Sequence, residues 1–351
     1  MRLEKLRSWL SESQLAGVMI TNPANIFYYS HFRGSNAALV VDSLGSTKLI
    51  TDFRYLSQAK QQSPGWDIIQ ADGTLFSVLP SLLDGRTGKW AFEGDHLSVN
   101  TYQNLPSILG IEFVPKDFDF IREIKEEQEL AKIRRAAEIS DQAFAQLLDW
   151  ITPGKTEKEV QIFLDFQMLQ LGAEAHSFPT IVGSGPNGAL AHAIAGNRKL
   201  EKGDLVVMDF GARYEGYCSD MTRTISVGKA DPKQKEVYQI VLEAQLRALE
   251  CIRAGVSNLE MDRISRDYIE KAGYGPQFGH GLGHSLGIQI HEYPHFSPKA
   301  REVTMAENMV MTVEPGIYLP GWGGVRIEDL VIVKTHQCEN LTFTTKDLIE
   351  I

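Results

Sequence analysis

The stretch VVMDFGARYEGYCSDMTRT, Val206–Thr224, decides how the chain is read. An aspartate, Asp209, closes the apolar run Leu205-Val206-Val207-Met208. A second, Asp220, precedes the run Met221-Thr222-Arg223-Thr224-Ile225. β-rich segments on both sides of Tyr214-Glu215-Gly216 predict a hairpin. A two-residue tip at Tyr214-Glu215 sets Asp209 opposite Asp220. Like charges facing each other across a ladder are destabilising, so this register predicts a neutralising partner.

The pattern recurs in MVMTVEPGIYLPGWGGVRIEDLVIV, Met309–Val333. Glu314 lies seven residues before Gly321 and Glu328 seven after it. Antiparallel pairing about that loop brings two more carboxylates side by side. Four carboxylates at one locus repel, and desolvation deepens the penalty. Divalent cations are the simple remedy. A slip of one residue in either turn would flip a side chain to the other face.

A further ligand is expected from FGHGLGHSLGIQIHEYPH, Phe278–His295, with His280, His284, His291 and His295 in a glycine-rich run. Carboxylates with one imidazole suit Mn²⁺, Co²⁺, Fe²⁺ or Zn²⁺, and Mn²⁺ is the leading expectation. Four carboxylates around two ions suit two-metal hydrolysis, in which a bridging water becomes hydroxide and the scissile carbonyl is polarised. Simpler readings compete. A lone Asp in a hairpin is usually solvated, and Glu314 before Pro315-Gly316 could merely end a strand. Lone histidines are more often hydrogen-bonded core or surface residues, a reading strongest for His295 and His336 and also favoured for His192. Of the neighbours Glu328 and Asp329, one is expected at the surface.

The chain has 351 residues, a length that predicts two domains. Its net charge of −10 opposes a nucleic-acid partner. Cys218, Cys251 and Cys338 form no CxxC pair and suit reduced thiols in the cytoplasm. The N-terminal MRLEKLRSWLSESQLAG reads as an amphipathic helix without a signal-peptide core. No apolar run reaches spanning length, so no membrane role is expected.

An α/β pattern fills the first part to about Phe120, with strands in NAALVV, TKLITD and GKWAFEGD. A boundary falls near VPKDFDFIREIKEEQEL, before a helix from about Glu126 to Trp150. Thr156 with Glu159 forms a capping box for a helix ending at Gly172. Asp231-Pro232 opens another helix, which stops near Gly255. Ser257 with Glu260 caps a third, ending near Gly273. Strands are expected over Asp204–Ala212, Tyr217–Val227, Met309–Leu319 and Val325–Val333. These elements predict an α+β second part, an antiparallel sheet with helices on one face.

The order of these residues resembles the pita-bread metallopeptidases: Xaa-Pro dipeptidase (prolidase), aminopeptidase P and methionine aminopeptidase. NIFYYSHFRGSNAALVV and LITDFRY resemble a creatinase-type N-terminal domain. NGALAH, MDFGARYEGYCSDMTRT, GHGLGHSLGIQIHE, VEPGIY and GGVRIEDLV resemble the successive catalytic motifs. The resemblance implies domains at 1–121 and 122–351, the second a curved six-stranded antiparallel sheet flanked by helices. It implies two divalent ions held by Asp209, Asp220, His284, Glu314 and Glu328, with Asp220 and Glu328 bridging. Glu314 would also move the proton of the bridging water. His192 and His291 match the catalytic histidines. Phe178, in HSFPTIV, together with His280 and Arg326, matches positions beside the substrate. A homodimer and a proline-containing peptide substrate are implied as well.

The sequence departs from the family pattern in places. Ala191 stands where many members have Pro, and Ser285 replaces the glycine after the metal-binding histidine. His295 stands where many dipeptidases carry an arginine for the substrate carboxylate. An imidazole cannot form the bidentate pair of a guanidinium, so Xaa-Pro-Yaa peptides become credible beside Xaa-Pro dipeptides. Small methionine aminopeptidases lack a creatinase-like domain and fit less well. The alternative reading is a creatinase-type amidinohydrolase or an inactive binding scaffold. Such relatives typically lose ligands, whereas all five positions here hold Asp, His or Glu.

Overall fold

The computed structural model describes residues 2–108 and 110–351, and the chain divides into two compact units, Met1–Ile121 and Arg122–Ile351. The first unit is built on a six-stranded mixed sheet. Its order is Asp67–Gln70, Thr47–Thr51, Ala37–Asp42, Gly17–Ile20, Gly88–Glu93, Ile111–Lys116. The central strands Gly17–Ile20 and Ala37–Asp42 are buried along their whole length, which explains their unbroken apolar runs. The expected hairpin pairs Ala37 with Thr51 and Val41 with Thr47.

In the second unit the helices start where their caps dictate. Thr156 and Glu159 bond reciprocally at the start of Glu157–Gln170, and Asp231 with Gln234 does the same for Pro232–Cys251. Ser257 caps Asn258–Lys271, but through the Leu259 N–H, and its hydroxyl donates to Glu302. The box expected with Glu260 does not form: the Glu260 N–H bonds to the Ser257 carbonyl at 3.2 Å instead of to its hydroxyl.

The four expected long strands are each interrupted, three of them beside Asp220, Glu314 and Glu328 and the first at Gly211, two residues after Asp209. The first hairpin consists of Leu205–Phe210 and Ala212–Tyr214, then Tyr217–Cys218 and Met221–Ser226. The second consists of Val310–Val313 and Gly316–Leu319, then Gly323–Arg326 and Asp329–Val333. At the breaks the backbone bonds elsewhere: the Glu314 N–H donates to Leu282 O and the Glu328 N–H to Thr222 O. Instead of one six-stranded sheet, the hydrogen-bonded ladders among the described residues are sheets of three, three, five and two strands. All of these ladders are antiparallel.

The first hairpin also corrects the expected register. Its tip is Glu215-Gly216, with φ of 45° and 87°. Two positive φ values are what a type I′ hairpin turn requires, and glycine meets that demand more cheaply than tyrosine. Asp209 therefore faces Thr222, not Asp220. The shift is two residues, so Asp209 and Asp220 keep the same face as diagonal neighbours. In the second hairpin Val313 pairs with Asp329 and Gly316 with Arg326. This register places Glu314 and Glu328 at matching points on either side of the break.

Period-two alternation sorts the faces. Val206, Met208, Phe210, Met221 and Ile225 pack into a core with the helices Glu127–Trp150 and Glu157–Gln170. Val313, Ile317, Val325, Ile327 and Val331 pack into another with Pro232–Cys251 and Asn258–Lys271. Asp209, Thr222, Arg326 and Glu328, at intervening positions, point away from the helices.

Asp329 does not follow the expectation that one of the Glu328-Asp329 neighbours is at the surface. Both are buried, with exposures of 1% and 0%. Asp329 accepts from Arg223 Nη2 at 2.8 Å and from Lys346 Nζ at 2.7 Å. Arg223, 1% exposed, also donates to the carbonyls of Thr222, Glu328 and Thr344. Removing one member of a buried pair strands the other. Asp329→Ala is expected to cost about 3–5 kcal/mol in denaturant unfolding, and a loss under about 1 kcal/mol would refute this account.

Candidate metal centre

A cavity of about 430 Å³ opens on the face turned away from the helices. Its lining brings together Phe178, His192, Asp209, Asp220, His280, His284, His291, His295, Glu314, Arg326 and Glu328. These are all the residues that the sequence assigned to a site. His336 is not among the lining residues.

Ligand-type atoms of Asp220, His284 and Glu328 lie within 4.8 Å of one another. His284 Nε2 is 3.5 Å from Asp220 Oδ2 and 3.5 Å from Glu314 Oε1. The other ring nitrogen, Nδ1, lies 3.1 Å from Ser285 O. A carbonyl only accepts, so Nδ1 carries the proton and the Nε2 lone pair faces the acids. Burial, then the neighbouring imidazoles, pushes His284 down to about 3, which keeps the ring neutral.

The acids are poorly compensated. Asp209 Oδ1, Asp220 Oδ1 and Glu328 Oε1 are buried without a hydrogen-bond partner among the described residues. Burial, reinforced by the neighbouring carboxylates, raises Asp220 and Glu328 well above the usual range. Burial lifts Glu314 to about 8. Orphaned buried acceptors are costly, and divalent cations reverse the local charge balance. The donor set, four carboxylates and one imidazole, fits such ions.

Arg326 is the only Arg or Lys lining the cavity among the described residues. Its Nη2 donates to Asp209 Oδ2 at 2.5 Å and its Nε to Thr222 Oγ1 at 3.0 Å. The Thr222 hydroxyl in turn donates to Glu328 Oε2 at 2.7 Å. Arg326 Nη1 donates to Tyr318 OH at 2.8 Å, and that hydroxyl lies 2.9 Å from His280 Nε2. His280 Nδ1 is 2.7 Å from Gly281 O, so Nδ1 holds the proton and Nε2 accepts from Tyr318.

Thr222 and Tyr318 escaped the sequence reading, although a signal was present. Each lies on the face of a candidate ligand at even spacing, two residues after Asp220 and four after Glu314. Gly316 provides the space: a Cβ there would sit 2.7 Å from Tyr318 OH.

The His291 ring lies 4.5 Å from that of His284, at 73°. Burial, followed by His192, lowers the His291 pKa. His192 sits in the loop after the Gly185–Ala189 turn. His295 pairs with His284 across the Gly283–Ser285 and Glu292–Phe296 strands.

An antiparallel scaffold carrying buried acids and a neutral imidazole around one cavity defines a metal-dependent hydrolase. The sequence profile of metallopeptidase family M24 matches residues 131–335, and that of the creatinase/prolidase N-terminal domain matches residues 2–124. The Xaa-Pro dipeptidase of Pyrococcus furiosus is 38% identical over 99% of both chains. Among solved structures, an Xaa-Pro dipeptidase from Bacillus anthracis superposes with a TM-score of 0.96 at 41% identity, covering 100% of this chain and 99% of that one. An X-Pro aminopeptidase from Thermotoga maritima gives 0.92 at 38% identity, covering 99% of each. The chain belongs to metallopeptidase family M24, with a creatinase-type N-terminal domain.

Proposed function

We propose that this enzyme hydrolyses the peptide bond between an N-terminal residue and proline, with two divalent ions held by Asp209, Asp220, His284, Glu314 and Glu328. The observation that carries this reading is the set of three orphaned carboxylate oxygens, each from a different acid, in one cavity. When bound, the ions supply an acidified water and polarise the scissile carbonyl. Glu314 would take the proton of the attacking water and return it to the departing proline nitrogen. His291 and His192 would steady the developing oxyanion and assist proton transfer. Phe178 offers the proline ring an apolar wall. His280, Tyr318 and Arg326 hold Asp209 in place from the other side.

Relatives named Xaa-Pro dipeptidase and X-Pro aminopeptidase support the proline specificity. The presence of Asp, His or Glu at all five ligand positions disfavours an amidinohydrolase or an inactive scaffold. Substrate length turns on the cations. Arg326 is engaged by Asp209, and His295 provides no guanidinium fork, which favours Xaa-Pro-Yaa peptides. The test is proline release from Ala-Pro beside alanine release from Ala-Pro-Ala after Mn²⁺ reconstitution. Faster Ala-Pro-Ala cleavage supports the longer class, and faster Ala-Pro cleavage makes the enzyme a dipeptidase. Cleavage of neither overturns the proposal. His295→Arg is expected to raise the Ala-Pro to Ala-Pro-Ala ratio of kcat/KM about tenfold, the effect of one charge-assisted bond.

Mn²⁺ as the resident ion, a cytoplasmic location and a homodimer belong to the same proposal. The oxygen-rich donor set favours Mn²⁺, and the three free cysteines suit a reducing compartment. No helix among the described residues is long and apolar enough to cross a membrane. Metal analysis of the native enzyme and light scattering in solution test the ion and the dimer.

A further inference from the structure

Glu157, the first residue of the Glu157–Gln170 helix, is fully buried, with an exposure of 0%. Its carboxylate stands outside the metal cavity, yet it gathers the feet of the loop that carries His192. Oε1 accepts from the Ser184 N–H at 2.8 Å and from Ser184 Oγ at 2.7 Å. Asn187 Nδ2 donates to both oxygens, at 3.0 and 3.2 Å. Oε2 takes the Gly196 N–H at 3.2 Å from the returning arm. The helix N-terminus binds that arm as well, through Glu157 N–H to Arg198 O and Lys158 N–H to Gly196 O. Donors on both sides of residue 192 thus converge on one buried charge, and charge-assisted bonds of this kind are about twice as strong as neutral ones.

The far side of the loop rests on the metal-ligand hairpin. Arg326 Nη1 donates to Ala191 O at 3.2 Å. A Cβ on Gly324 would lie 2.1 Å from Gly188 O, so backbone meets backbone there. Between these supports Ala191 takes the second position of a turn closed by the Ala193 N–H to Leu190 O at 3.0 Å, and an alanine there does not itself fix φ as a proline would. Leu190 is extended, with φ −95° and ψ 105°. The Ala191 N–H has no protein acceptor among the described residues. A proline at 191 would therefore sacrifice no hydrogen bond and would follow a residue in the extended region that proline prefers before it.

We propose that Glu157 is a positioning residue that fixes the His192 loop over the cavity, and that it supplies by hydrogen bonding the rigidity that alanine at 191 does not. The inference rests on the catalytic role given to His192 in the proposed function. Hydrogen exchange on the metal-free protein and steady-state kinetics on the reconstituted enzyme test it separately. Glu157→Gln replaces one acceptor with a donor that faces donors. It is expected to speed exchange of residues 184–196 about tenfold while other regions keep their rates. It is also expected to lower kcat about tenfold, the scale of a lost outer partner, with KM and metal content nearly unchanged. Adding Ala191→Pro should restore about threefold of that loss, because proline removes chain entropy. In a His192→Ala background Glu157→Gln should lower kcat no further.

Ser184→Ala removes one hydroxyl donor and keeps the carboxylate. It should show a smaller form of both effects, so the inference can be judged even if Glu157→Gln does not fold. Unchanged exchange at 184–196 in the variants overturns the anchoring. A kcat loss of full size in the His192→Ala background overturns the link to His192. A kcat indifferent to His192→Ala alone instead removes the role of His192 in the proposed function and leaves exchange to decide the anchoring.

Discussion

Asp220→Asn is expected to lose metal and activity together while making the metal-free protein more heat-stable. Asp220 is 5% exposed, and one of its oxygens has no hydrogen-bond partner. Burial comes first among the causes that raise its carboxyl pKa well above the usual range, and Glu328, Asp209 and Glu314 add to it. In the absence of cations this residue is a liability. An amide of the same shape cannot ionise, at a locus where four carboxylates face the guanidinium of Arg326 among the described residues. The relief is about 1 kcal/mol or more for each pKa unit of perturbation removed. In a unit the size of Arg122–Ile351, about 1 kcal/mol raises the melting temperature of the metal-free protein by about 2–4 °C. With cations present the sign reverses. Losing an anionic donor weakens binding and removes transition-state charge stabilisation worth several kcal/mol, so kcat/KM should fall about 10³-fold. Calorimetry of both forms, metal analysis and the Ala-Pro-Ala assay measure the three effects. A variant that retains its metal and its rate would end the ligand assignment, whatever its melting temperature.

His291→Ala should give the complementary result: metal retained, turnover lost. The ring reaches the cavity but is not one of the five proposed donors, so occupancy should stay near that of the parent. The surrounding chain should stay in place as well, because its neighbour Glu292 is anchored independently. Glu292 accepts from Arg122 Nε at 2.9 Å, from Lys125 Nζ at 3.3 Å and from the N–H groups of Ile288 and Gln289, each at 3.1 Å. Removing a general acid–base group typically costs about 10²–10⁴ in kcat. Single-turnover kinetics with metal analysis of the same sample decide the matter. An unchanged rate denies His291 a chemical role, and a rate loss matched by metal loss makes it a ligand-supporting group instead.

Much of the site was visible in the order of residues, because β-structure writes its faces into the chain with period two. Acids among apolar neighbours at Asp209, Asp220, Glu314 and Glu328 mark one face of two hairpins, and the symmetry of the second hairpin about Gly321 survives in its register. The first register differs by two residues from the one the sequence predicts, since Tyr214-Glu215 and Glu215-Gly216 are both possible tips and only the backbone angles choose between them. A shift of two residues preserves the face, which is why Asp209 and Asp220 still line one cavity.

Tertiary structure alone decided which groups meet across long stretches of chain. Arg326 reaches Asp209 from 117 residues away, and Thr222 reaches Glu328 from 106. Asp329 looked like a candidate for the surface until Arg223, on the partner strand of the other hairpin, closed over it. Glu157 carried no signal beyond its place at a helix start, yet it joins Ser184 and Gly196. The physical reason is common to all of these. Periodicity encodes which face a side chain takes, a property of adjacent residues, whereas the partner of a buried charge is set by how separate strands, loops and helices pack together.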